Sequence, residues 1–217
     1  MPHDPPPVFG PAQMYLPSLL GTASVLALSD NNLIAEHTGV GSTWRAANIT
    51  DRFGSTGLYQ ITDKRYFEFT FNGPEHMGAS IGFVSWANAN DGSANPASRQ
   101  TYMATSNFVG GVHPGLWTDG ANGADSQYGT ALGATIMVAI NGENGHVFFG
   151  YQGAWLGSQN PTLDINPALT LPDQDFVGTI ASYDGGVIGG PSFFQARLGL
   201  DILYPLPTGY RPWARVS

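Results

Sequence analysis

Residues 65 to 73, RYFEFTFNG, alternate with a period of two, placing Phe67, Phe69 and Phe71 on one side and Tyr66, Glu68 and Thr70 on the other. This alternation predicts a strand at a sheet surface, with its aromatic side over a core and a half-polar opposite side. Similar apolar runs recur at ASIGFVSW (79 to 86) and TIMVAI (135 to 140). VLALS (25 to 29) and LIAEH (33 to 37) flank Asp30-Asn31-Asn32, which predicts a hairpin. NGENG (141 to 145) holds two Asn-Gly pairs suited to positive φ, so TIMVAI and the following HVFFGY are expected to be antiparallel neighbours. No stretch longer than a single turn reads as helix.

The run HVFFGYQGAWLGSQNP (146 to 161) is aromatic, then glycine-punctuated, then closed by Asn160-Pro161. It predicts an inner strand through Val147, Phe148 and Phe149, a turn at Gly153, Trp155 capping the core, and a chain reversal at Asn160-Pro161. Residues 87 to 131 are rich in Gly, Asn, Ser and Ala, with aromatic islands at Tyr102, Phe108 and Trp117. Such connections on a rigid β scaffold are either solvated loops with a few short strands or binding surfaces. The end of the chain predicts strands in DFVGTIASYDGG (175 to 186) and PSFFQARLG (191 to 199). YPLPTGYRPWARV (204 to 216), with three prolines, is expected as an edge or closing clamp.

Composition sharpens this picture. Charged residues are 11% of the 217 positions and aromatics 12%, with 29 Gly and 16 Pro. That balance suits many short strands and tight turns in one large all-β domain. Sixteen acidic residues against eight basic ones give a net charge of −8, which repels a phosphate backbone and argues against nucleic-acid binding. Without cysteine there is no disulfide, thiolate metal site or cysteine nucleophile. The first thirty residues lack a basic n-region, and Pro17 and Gly21 break their apolar stretch, so neither a signal peptide nor membrane insertion is expected. Residues 1 to 21 are expected as a proline-rich extended arm ahead of a domain at 22 to 217. The arm is either a disordered terminus or an assembly arm docking on another subunit through Val8, Phe9, Met14, Tyr15 and Leu16.

The usual catalytic patterns are missing. Glycan hydrolysis on a β-sandwich needs two carboxylates, which alternate positions of one strand would supply. Here Glu68 is alone on its strand, Glu36, Glu75 and Glu143 are scattered, and Asp173 and Asp175 sit in a turn-like DQD. The histidines at 3, 37, 76, 113 and 146 lack metal-ligand spacing, and neither G-x-S-x-G nor a phosphate-binding glycine loop occurs. NANDGSAN (88 to 95) offers oxygen atoms but not the spaced acidic residues of a calcium loop. No cofactor is expected.

The order of these features resembles the SPRY-type β-sandwich, a concanavalin A-like jelly roll, particularly the variety in bacteriophage structural proteins. LALSDNNLIAEHTGVGSTWRAAN is similar to that family's first strands, KRYFEFTFNG (64 to 73) to its K-x-YFEVT strand, and ASIGFVSW to its IGF strand. GATIMVAINGENGHVFFGYQGAWLGSQNP (133 to 161) resembles its later strand, hairpin and tryptophan run. NPALTL, FVGTIASY and YPLPTGYRPW resemble its closing strands and PPTGF tail. The likeness spans roughly 22 to 215. Gln152-Gly153 stands where Asn-Gly is usual, Ala134 where Asp is frequent, and Arg197-Leu198-Gly199 where NFG is common.

The resemblance implies an all-β antiparallel sandwich and a non-enzymatic virion structural protein: a fibre, spike or decoration subunit. Its partners would be other virion proteins, through the arm, and host surface glycan. It would form homo-oligomers, assembling in the host cytoplasm and leaving by lysis. Sugar recognition calls for aromatic platforms and planar polar side chains. The candidates are Trp86, Asn88, Asn90, Asp91, Asn95, Arg99, Tyr102, Trp117, Asp119 and Asn122. The alternatives are a purely architectural subunit without a ligand, a low-ranked glycan depolymerase and, fourth, a peptide-binding module of the cellular SPRY kind.

Overall fold

The computed structural model describes residues 14–15, 26–30, 33–37, 44–53, 63–72, 77–85, 101–106, 115–118, 121–124, 134–172, 176–184, 192–199 and 201–213. Among them there is no helix, and the sixteen strands form two sheets joined by a shared core, antiparallel throughout except where β16 pairs with β5.

In chain order the strands are β1 (Met14–Tyr15), β2 (Leu26–Ser29), β3 (Ile34–His37), β4 (Trp44–Phe53), β5 (Lys64–Asn72) and β6 (Met77–Ser85). Next come β7 (Thr101–Ser106), β8 (Gly115–Thr118), β9 (Ala121–Ala124), β10 (Thr135–Asn141) and β11 (His146–Tyr151). The rest are β12 (Ala154–Trp155), β13 (Leu169–Thr170), β14 (Phe176–Asp184), β15 (Ser192–Arg197) and β16 (Arg211–Pro212). One sheet runs β1-β4-β14-β6-β7-β8-β9. The other runs β12-β11-β10-β5-β15-β3-β2, with β13 paired to β11 and β16 to β5.

The expected hairpins form. β2 pairs with β3 around Asp30, whose φ of 51° suits a turn. β10 pairs with β11 from Ile136↔Tyr151 to Asn141↔His146. The long connection after residue 86 contributes β7, β8 and β9, a meander that widens the first sheet.

The core lies between the sheets because inward-facing residues alternate on both. Phe67, Phe69, Val138, Phe149 and Phe194 on one sheet meet Ala47, Ile81, Phe83, Phe176 and Ile180 on the other. Phe67 touches Phe83 edge to face across the gap, with centroids 6.1 Å apart. Each of the Phe, Val and Ile side chains among these contributes about 1.5–3 kcal/mol when fully buried. Among the described residues the largest fully buried side chain is Trp213, whose ring stands at 88° to Phe67 with centroids 4.9 Å apart.

Two sequence expectations are corrected. β5 is not a surface strand with one polar, wet side: Tyr66 and Glu68 are fully buried and Thr70 is 8% exposed. The reason is its central position, between β10 and β15, with the closing segment 201 to 213 laid over its second face. Trp155, in turn, does not cap the inner core. It is half-buried and packs on a separate outer cluster of Tyr66, Met137, Ala139, Phe148 and Tyr210, meeting Tyr66 edge to face at 6.3 Å.

The proline-rich end behaves as the expected clamp. β16 runs parallel to β5, Trp213 N–H donates to Tyr66 O at 2.9 Å, and Arg65 Nη1 donates to Pro212 O at 3.0 Å.

Candidate interaction surface

Most ligand candidates read from the sequence, Trp86, Asn88, Asn90, Asp91, Asn95, Arg99 and Asp119, lie outside the described residues. Of the others, Tyr102 is on β7 opposite Phe83 and Thr118, while Trp117 on β8 is opposite Met103 and Asn122. The backbone therefore brings Trp117 and Asn122 together as one cross-strand pair, two strands from Phe83. Of the arm residues, Val8, Phe9 and Leu16 are outside the described set. Met14 and Tyr15 form β1 against Ile49 and Asn48 of the same chain.

A second surface is built by the 151 to 166 region and the closing segment. β11 turns into β12 through Gln152 and Gly153, with φ of 49° and 87°, the positive angles a two-residue hairpin requires. A Cβ on Gly153 would lie 2.9 Å from two ring atoms of Tyr204, so the tyrosine ring rests directly on the turn. Tyr204 Oη donates to Gln152 Oε1 at 2.6 Å. Beneath, Glu68 accepts three hydrogen bonds, from Tyr66 Oη (2.7 Å), Leu203 N–H (2.8 Å) and Tyr204 N–H (2.9 Å). This buried carboxylate is consumed in holding the closing segment.

Beyond β12 the chain makes a tight loop in which Asn160 and Ile165 exchange both backbone hydrogen bonds. Asn160 Oδ1 accepts from Leu163 N–H, and Asn166 Nδ2 donates to Ser158. At the loop's centre Asp164, with φ of 58°, accepts from Asn144 Nδ2 (2.6 Å), Asn141 Nδ2 (3.2 Å) and the His146 ring at Nδ1 (3.1 Å). Burial raises the Asp164 pKa, but the hydrogen bonds from Asn144 and His146, with the His146 charge, outweigh it and hold the carboxyl below its ordinary value.

Pinning Asp164 inward turns its neighbours out. Leu163 is 63% exposed and Ile165 47%, and on the closing segment Leu203 is 55% and Leu206 38% exposed. The two segments are joined where Thr208 N–H donates to Thr162 Oγ1 at 3.2 Å. Sequence reading missed this surface, since PTLDIN (161 to 166) carries an ordinary apolar–acidic alternation. The flanking Asn160 and Asn166 were the available signal that a loop, not a strand, would present it.

Among the described residues no group of three His, Asp or Glu could hold a metal ion, and no helix is long and apolar enough to cross a membrane. No family model and no curated protein matches the chain. Among solved structures, the fold is similar to the SPRY domain of human HERC1 in its crystal structure, with a TM-score of 0.53 and 13% identity. The match covers 83% of this chain and 98% of that one. The chain thus has the SPRY-like sandwich fold.

Proposed function

We propose that this protein is a non-enzymatic structural component of a phage or phage-like virion, a fibre, spike or decoration subunit whose sandwich binds host surface glycan or another virion protein. It would assemble in the host cytoplasm and leave by lysis. The observation that carries the reading is the SPRY-like sandwich, reached by a chain whose motif order resembles the phage variety of that family. The use of Glu68 supports it too: the one carboxylate on the central strand β5 is buried and saturated by three donors, unsuited to act on a substrate.

Binding of the full chain to intact host cells and to their extracted surface polysaccharide tests this. Saturable binding competed by the polysaccharide supports the glycan reading. Loss of that binding in Trp117→Ala would place the Trp117–Asn122 pair in the site. Release of reducing ends from the polysaccharide would overturn the non-enzymatic reading. A purely architectural role is the second reading, favoured by the exposed aliphatic side chains of the 160 to 166 loop, which suit a protein partner better than a sugar.

A further inference from the structure

Four Asn-Gly pairs occur in the chain, beginning at Asn72, Asn122, Asn141 and Asn144. Such a pair is chemically labile, because glycine has no side chain to keep its backbone nitrogen from the asparagine Cγ. Attack needs an amide free to turn over that nitrogen, an N–H free to give up its proton, and water to open the product.

Asn144 is held just short of this reaction. Its Oδ1 accepts from His146 N–H at 3.1 Å, its Nδ2 donates to Asp164 Oδ2 at 2.6 Å, and Gly145 N–H donates to Asn141 O at 2.9 Å. The residue is nevertheless exposed, and Asp164, which fixes the leaving nitrogen, sits on a separate loop with its side chain 25% exposed. The fold also forces the labile pair to stay. Gly145 has φ of 74°, and a Cβ there would lie 2.6 Å from the Leu171 carbonyl oxygen, so no less reactive residue fits after Asn144. Asn141, in the same hairpin, differs. It is 3% exposed, its Oδ1 accepts from Glu143 N–H, and Gly142 N–H donates to Asp63 O. Solvent reaches Asn144 and not Asn141.

We propose that Asn144 is a modification site, converted to aspartate and isoaspartate without an enzyme, and that its bond to Asp164 sets the rate. The Gly145 nitrogen bonds to Asn144 Cγ, the Cγ–Nδ2 bond breaks, and Nδ2 leaves as ammonia with the proton that Gly145 gives up. Water then adds to one of the two carbonyl carbons of the cyclic imide. Opening at Cγ gives aspartate, and opening at the backbone carbon gives isoaspartate, whose main chain runs through the former side chain. Aspartate replaces the donor facing Asp164 with a like charge, so the two carboxylates repel or share a proton. Isoaspartate instead adds a main-chain carbon to the turn that Gly145 closes. Both products cut the tie from Asn144 to the 160 to 166 loop, and the loss of ammonia makes the change one-way. The site is thus an ageing switch on that loop, independent of the virion reading.

Mass-spectrometric peptide mapping of the full chain, aged at neutral pH, tests the proposal. In wild type, aspartate and isoaspartate are expected at Asn144, with Asn141 intact in the same sample. Losing a hydrogen bond to a charged acceptor frees the amide roughly tenfold more often. Asp164→Ala and Asp164→Asn should therefore speed conversion at Asn144 by about that factor; asparagine also tolerates the φ of 58° at this position. The ratio of conversion at Asn144 to that at Asn141 within one chain separates a released amide from a lost fold, since an unfolded chain converts both. Asn144→Asp tests the consequence without touching Asp164. Its amides at 160 to 166 should exchange roughly tenfold faster than in wild type, while those of β10 and β11 keep their protection. Asn144 as durable as Asn141 in wild type, equal rates at Asn144 with and without Asp164, or unchanged loop exchange in Asn144→Asp would each overturn the proposal.

Discussion

Tyr66 and Glu68 stand two residues apart on β5 and are joined by a 2.7 Å hydrogen bond from the phenol to Glu68 Oε1, both side chains fully buried. Burial first, then the hydrogen bond and charge of Glu68, push the Tyr66 pKa well above its ordinary value. The pair anchors the closing segment, since the remaining donors on Glu68 are the backbone N–H groups of Leu203 and Tyr204.

Glu68→Ala would strand the buried Tyr66 phenol and two part-buried backbone N–H donors together. Each unsatisfied group costs about 1–3 kcal/mol, and we expect a total loss of roughly 3 kcal/mol or more, read as a lowered urea midpoint. Glu68→Gln keeps one carbonyl acceptor and should cost less. Tyr66→Phe removes one donor of three and should cost about 1–2 kcal/mol. Equal midpoints for Glu68→Ala and wild type would show that the closing segment does not depend on this carboxylate.

Asp164 makes a pH-dependent contribution of definite sign. Its folded pKa lies below the ordinary 3.8, so its contribution is complete above that value and is withdrawn as pH falls through the depressed folded value. Acid unfolding of Asp164→Asn should therefore be less steep below about pH 4 than that of wild type. At neutral pH the variant should be modestly less stable, by about 1 kcal/mol, because the carboxylate is partly solvated. Thermal melts from pH 2.5 to 7 (roughly the carboxylate range) would show this, and parallel curves for the two proteins would contradict it.

Two turn glycines should differ in tolerance. Gly145 has φ of 74°, and a Cβ there would lie 2.6 Å from the Leu171 carbonyl oxygen, a backbone atom that cannot move aside. At Gly153, with φ of 87°, the obstacle is the Tyr204 ring at 2.9 Å, which can swing outward and give up its bond to Gln152. Both alanine substitutions carry the positive-φ penalty of about 1 kcal/mol. Gly145→Ala should lose distinctly more, and Gly153→Ala should loosen the outer cluster. Melting temperatures rank them, and a Gly153→Ala protein less stable than Gly145→Ala would reverse the assignment.

Trp155 and Trp213 should also separate. Trp213 is fully buried against Phe67 and Phe83, so Trp213→Ala is expected to cost about 3–5 kcal/mol. Trp155 is half-buried on the outer cluster, and its alanine variant should cost less. Denaturant curves would settle the order, and iodide should quench Trp155 emission before that of Trp213.

Much of the framework was legible from residue order because strands and hairpins are local decisions. Period-two alternation marked β5, apolar and aromatic runs marked β6, β10 and β11, and the glycine and asparagine turns marked the β2–β3 and β10–β11 hairpins. The all-β class, the antiparallel pairing of neighbours and the clamp role of the proline-rich end followed from the same rules. What strand sits at a sheet's centre is not local. Tyr66, Glu68 and Thr70 have the alternation of a wet face, and only the arrival of residues 201 to 213 from the far end of the chain makes that face dry. The same distance in sequence hid the core role of Trp213, set by Phe67 and Phe83 on two different sheets, and left Trp155 as the conspicuous aromatic. It hid the outward turn of the 160 to 166 loop as well: Leu163 and Ile165 face solvent because Asp164 meets Asn141, Asn144 and His146 some twenty residues earlier, and no pattern within PTLDIN could have declared it.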